Sequence, residues 1–227
     1  MYRRSLLGLA LISSALSTRL LYAQDWATVL GQAVLNEKNN TAFLGREPLP
    51  PNDPRWDDAK ALLDATPTTG TAYRVAQVLE STVPDTFKKE WPPGYANPLI
   101  VDLFFATGTK PQGDVTPWCA AFVSWCIERV GSKSARSAAS KEYREYGTPV
   151  WEKGKGEFPG QAREGDIAVF KSLSKPNNGH VTFYVGEDPT SNRRIKVLGG
   201  NQSDQIGYSS YRISGGDLQL ISIRRLT

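Results

Sequence analysis

Three residues able to share one proton-transfer reaction stand in the order Cys119, His180, Asn201 along this chain of 227 residues. A thiol beside a histidine is a nucleophile with its base. An amide oxygen on the far side of the imidazole then fixes which ring nitrogen carries the proton. His180 is the single histidine of the sequence, and Cys119 and Cys126 are its two cysteines. Placed on one helix, those cysteines are separated by about 10 Å along the axis, whereas a disulfide needs Cα atoms within roughly 7 Å. The spacing predicts two free thiols. It also sets aside a zinc site, because both sulfurs cannot reach one ion with bonds near ~2.3 Å, and no metal or other cofactor is expected.

The elements that must position these groups follow from the punctuation around them. In "DVTPWCAAFVSWC", Thr116 reads as an N-cap, Pro117 suits the first helical position and Gly131 suits the stop, so a helix is expected over residues 117 to 130. Cys119 then falls in the first turn, where free backbone N–H groups and the helix dipole favour a thiolate. Cys126 lies two turns deeper on the stripe of Phe122, Val123 and Ile127 and reads as a core residue with a raised pKa.

His180 opens the run "HVTFYV". Alternation puts Val181, Phe183 and Val185 on an apolar face and leaves His180 on the other. A hairpin with Val185 opposite Ile195 sets His180 opposite Gly200, and a shift of one residue sets it opposite Asn201. Because "GGNQSD" is rich in turn formers, a plain turn is the competing reading of Asn201, with Gln202 and Asp204 as alternatives for the third group. Trp118, Arg136, Ser137 and Asn178 are candidate substrate contacts.

Apolar runs at 166–170, 180–185, 195–198 and 218–223 are separated by polar turns and no helices, which predicts an antiparallel sheet. Helical patterns precede it at 25–36, 57–65, 72–79 and 99–106, with a shorter one at 136–147. The fold class is therefore α+β, with helices first and the sheet second.

Arg3 and Arg4 precede an apolar run from Leu6 to Leu16, and Ala23 offers a small residue for cleavage. This pattern predicts an export signal over residues 1–23 by the Sec route, with a twin-arginine route as the alternative, and a periplasmic or extracellular protein. The run is too short to span a bilayer, so no stable membrane anchor is expected after signal removal. Proline-rich segments punctuate residues 24–94, read as a helical appendage to a catalytic domain over 95–227. The net charge of +4 owes three units to Arg3, Arg4 and Arg19. Basic residues elsewhere are scattered among carboxylates, so nucleic acid is not an expected partner.

Taken together, "TPWCAAFVSWC", "GDIAVF", "NNGHVTFYVG" and "LGGNQSD" resemble the CHAP domain, the cysteine, histidine-dependent amidohydrolase/peptidase of the papain-like superfamily in its bacterial cell-wall branch. The resemblance covers about residues 95–227. It implies a papain-like fold with the nucleophile helix packed on the sheet, Cys119 as nucleophile, His180 as base and Asn201 as the orienting group. It also implies peptidoglycan or its peptide fragments as the partner, with an amide or peptide bond cleaved through a thioester. A non-catalytic envelope-binding module and an acyl transferase using the same residues are the other readings. The sequence leaves amidase against endopeptidase, and the oligomeric state, open.

Overall fold

The computed structural model describes residues 46–108, 113–191 and 193–226. The export signal and the stretch 25–36 lie outside them. Helices α1 (Arg55–Asp64), α2 (Ala72–Thr82), the single turn α3 (Asp85–Lys88), α4 (Pro98–Leu103) and α5 (Cys119–Arg129) come first. Strands β1 (Thr148–Glu152), β2 (Ile167–Ser172), β3 (Gly179–Glu187), β4 (Arg194–Gly199), β5 (Gly207–Arg212) and β6 (Leu218–Arg225) follow. They form one six-stranded sheet in the order β1-β6-β2-β3-β4-β5, antiparallel at every pairing. The protein is thus α+β, as its change of period implies.

Local chemistry explains the helix boundaries. Thr71 Oγ1 accepts from Arg74 N at 3.1 Å and starts α2, whose Ala72, Val75, Ala76 and Leu79 recur at helical spacing and are buried. Asn97 caps α4 by accepting from Leu99 N, with Pro98 at the first helical position. Helix α5 stops at Gly131, whose φ of 75° suits the left-handed turn. Gly131 N donates to Glu128 O and Ser132 N to Ile127 O, which satisfies two carbonyls of the last turn. The helix expected over 136–147 is a short 3-10 segment, Ser140–Arg144.

Both faces of the sheet are covered. On one, Val169, Val181, Phe183 and Leu198 pack in a single core with α1, α2, α4 and α5. On the other, Ala168, Phe170, Tyr184, Val197, Leu220 and Ile223 form a second core with Trp151 of β1. The alternation read in β3 is correct, but its second face is not a polar one. His180 sits there with 5% exposure.

Candidate active site

The site is built where the first residue of α5 meets the first residues of β3. Asp114, fully buried, anchors the loop before α5: its Oδ2 accepts from Trp91 N at 2.8 Å and Asn97 N at 2.9 Å and pairs with Arg46 at 3.3 Å. Thr116 N donates to Gly113 O inside this loop. The helix consequently begins two residues later than the sequence suggests, with Trp118 as the flanking residue and no side-chain cap. Cys119 becomes the first helical residue rather than the third, and the backbone N–H groups around it lack acceptors one turn earlier.

A fork in the sheet makes room for the sulfur. Strands β3 and β4 pair in register from Glu187 and Ile195 as far as Phe183 and Leu198, with a bulge between Tyr184 and Gly186. There the Thr182 hydroxyl donates to Leu198 O at 2.6 Å, and β4 turns away with β5, ending at Gly199 opposite Gly207. Two glycines permit the departure. A Cβ on Gly199 would stand 2.4 Å from Thr182 Oγ1, and one on Gly200 would stand 2.4 Å from the Trp118 ring and 2.7 Å from Phe122 Cβ.

In the gap, the Cys119 sulfur meets the backbone N–H of Val181, the residue after His180, as well as the N–H groups of Ala120 and Cys119 itself. Burial pushes the thiol up, and these three donors oppose the shift without overcoming it. The expectation of a thiolate favoured by the helix start is therefore corrected: desolvation outweighs the first-turn amides. Cys126, with its own amide as its one favourable contact, is raised well above the ordinary thiol range. The two thiols differ in the expected order, and both are free.

His180 lies between two rings, with centroids 5.3 Å from Tyr211 and 6.3 Å from Phe170. Burial lowers its pKa to about 4, and the side chain of Gln202 partly opposes the shift. Gln202 is itself 2% exposed, and its amide NH2 donates to Gly207 O. That bond directs Oε1 toward the imidazole. Neither Oε1 nor His180 Nε2 completes a hydrogen bond.

Asn201 is not the residue that faces the imidazole. The observed register would carry it opposite His180 if the hairpin continued, but the ladder ends first and Asn201 turns with φ of 54° in the left-handed region. The next residue, the alternative Gln202, is brought in instead. The fully buried Trp118 cannot line a groove: its ring covers Gly200 and its indole N–H donates to Glu90 Oε1 at 3.3 Å. Arg136 faces Glu128 at the far end of α5, with 4.0 Å between the charged atoms. Ser137 meets Ser124 in the middle of that helix through its backbone carbonyl. Both are away from the sulfur. Asn178 is exposed two residues before His180, at the rim.

Two contributors escape a reading by motif. Tyr211 closes over His180 from β5 and also touches Phe170, with centroids 5.1 Å apart. Burial, then the nearby Cys119 sulfur, raise its hydroxyl pKa. Residues 88–90 brace the Gln202 loop through Ile206 N to Lys88 O at 2.8 Å and Glu90 N to Asp204 O at 2.9 Å. Asp204, the other alternative for the third group, serves this strap through its backbone carbonyl. Among the described residues no group of acidic, histidine and cysteine side chains could hold a metal ion, and no helix is long and apolar enough to cross a membrane.

Residues 111–201, which run from the loop before α5 through His180 to the start of the Gln202 loop, match the family model of the CHAP domain. This segment is similar to the CHAP domain. The match supports a hydrolase of the amidase or peptidase type, in keeping with a thiol that meets the amide next to the single histidine. Helices α1 and α2 and strands β5 and β6 lie outside the matched CHAP segment, yet they supply core residues and Tyr211. No curated protein matches the chain.

Proposed function

We propose that the protein is an exported cysteine hydrolase that cleaves an amide or peptide bond of peptidoglycan, with Cys119 as nucleophile, His180 as base and Gln202 as the group that orients the imidazole. The observation that carries this reading is the placement of the Cys119 sulfur on the Val181 N–H, one residue from His180. The CHAP match and the apolar N-terminal run support the substrate and the export.

Both partners rest neutral at neutral pH, because burial raises the thiol and lowers the imidazole. A preformed ion pair is disfavoured, so proton transfer accompanies attack. Gln202 Oε1 accepts a hydrogen bond from Nε2–H as the site closes on substrate, and this tautomer leaves Nδ1 as the acceptor toward the sulfur. Sulfur attacks the carbonyl carbon while Nδ1 takes the thiol proton. The tetrahedral oxyanion is met by the Cys119 N–H at the helix start. His180 returns its proton to the leaving amine, and water, deprotonated by the same imidazole, resolves the thioester.

Mass spectrometry of muropeptide digests tests this reading. Wild type and Cys126→Ala are expected to release the same fragments, and Cys119→Ala none. Cleavage by Cys119→Ala at the wild-type rate would overturn it.

A further inference from the structure

At the end of β4 and β5 where Ile195 and Tyr211 pair, the turns before β4 and after β5 enclose a groove of about 570 Å³ lined by Arg193, Arg194, Arg212, Ser191 and Ser214 among others. Its volume is that of about twenty waters in the liquid, far more than one small anion fills. Arg194 and Arg212 stand directly opposite each other in the β4–β5 ladder. Like charges at such positions weaken a sheet, so the fold carries a charge conflict here that an anion relieves.

Arg194 is the partly balanced member. Its Nε donates to Ser210 Oγ at 2.9 Å, and that hydroxyl donates to the Asp188 carboxylate. Arg212 has one carbonyl contact, Nη1 to Gly215 O at 3.4 Å. Arg193 is fixed through its backbone, its carbonyl accepting from Ile213 N at 2.9 Å. Among the described residues neither Arg193 nor Arg212 is paired with a carboxylate. Two planar guanidinium forks therefore face an open groove, and oxygen anions are the ligands that such forks bind in bidentate fashion.

Position relates the groove to the site. Tyr211, the residue before Arg212, turns inward to lie over His180, whereas Arg212 leaves the opposite face of the same strand. The geometry points to an exosite that holds the oxyanion groups, phosphate or carboxylate, of an extended anionic chain at the β4–β5 edge, one residue along β5 from Tyr211. That this chain is a neighbour of the hydrolysed bond in the envelope rests on the function proposed above; the binding itself does not.

The test is calorimetric titration of the full chain with poly(glycerol phosphate), poly-γ-glutamate and inorganic phosphate. The variants are Arg193→Gln/Arg212→Gln and a control of equal charge loss, Lys133→Gln/Lys141→Gln. Wild type and control are expected to bind at least one polymer, more weakly as salt rises, and the arginine double variant about tenfold or more weakly. Binding of the phosphate polymer alone assigns a phosphodiester ligand, and binding of the glutamate polymer alone a carboxylate one. No binding by wild type, or equal loss in both double variants, overturns the exosite. Cys119→Ala is expected to bind as wild type does, so that failure of hydrolysis and failure of the exosite are read separately. All four substituted side chains of the two double variants are exposed, and an unchanged melting temperature shows that folding is intact.

Discussion

Cys119 and His180 are both buried and both shifted toward their neutral forms, and that neutrality has measurable costs. His180 has a pKa near 4 in the folded chain against an ordinary 6.5. As pH falls below about 6.5 the unfolded chain takes up a proton that the folded chain refuses, so stability declines until the folded pKa is reached. The shift corresponds to about 3 kcal/mol. Urea titrations between pH 7 and pH 4 are expected to show that loss, and His180→Gln should flatten the slope. For the third group, Gln202→Ala is expected to lower kcat/KM by about ten- to a hundredfold, since an unoriented imidazole forfeits part of what acid–base catalysis supplies. Asn201→Ala should leave activity within about twofold and cost a fraction of a kcal/mol through its left-handed backbone. Equal activity losses in the two variants would return the role to Asn201.

Helices and strands were legible where burial is two-sided. The four inner strands, β6, β2, β3 and β4, carry apolar runs that sequence alone marks. The two edge strands, β1 and β5, do not: "TPVWE" holds a proline and "GYSSYR" four hydroxyl side chains, and an edge need not be apolar along its length. Tyr211 was hidden for that reason, since nothing in a polar strand announces one inward ring. Cys119 and His180 could be singled out because their types are rare and their surroundings punctuated. The exact third residue could not, because it depends on where the β3–β4 ladder stops, and a one-residue difference changes which side chain arrives. The glycine pair that sets the stop is testable. Gly200→Ala drives a methyl into Trp118 and Phe122, and a loss of about 1–3 kcal/mol is expected as a lower melting temperature with reduced activity.

Across the described residues, the segment 46–94 is part of the structure that holds helix α5. Leu63, Val75, Leu79 and Val83 are buried in the same core as Ala120, Phe122 and Val123, and Glu90 reaches Trp118. Each such apolar side chain is worth about 1.5–3 kcal/mol, so the four together rival the roughly 5–15 kcal/mol that hold a domain folded. A fragment of residues 95–227 is therefore expected to lack a cooperative thermal transition by circular dichroism, although it contains every residue of the proposed triad. The fork between β3 and β4 has one further consequence. Because the Val181 amide faces the sulfur beyond the end of the β3–β4 ladder, its nitrogen-15 resonance is a built-in gauge of the thiol's charge, moving with ionisation or acylation of Cys119 while the neighbouring ladder amides stand still.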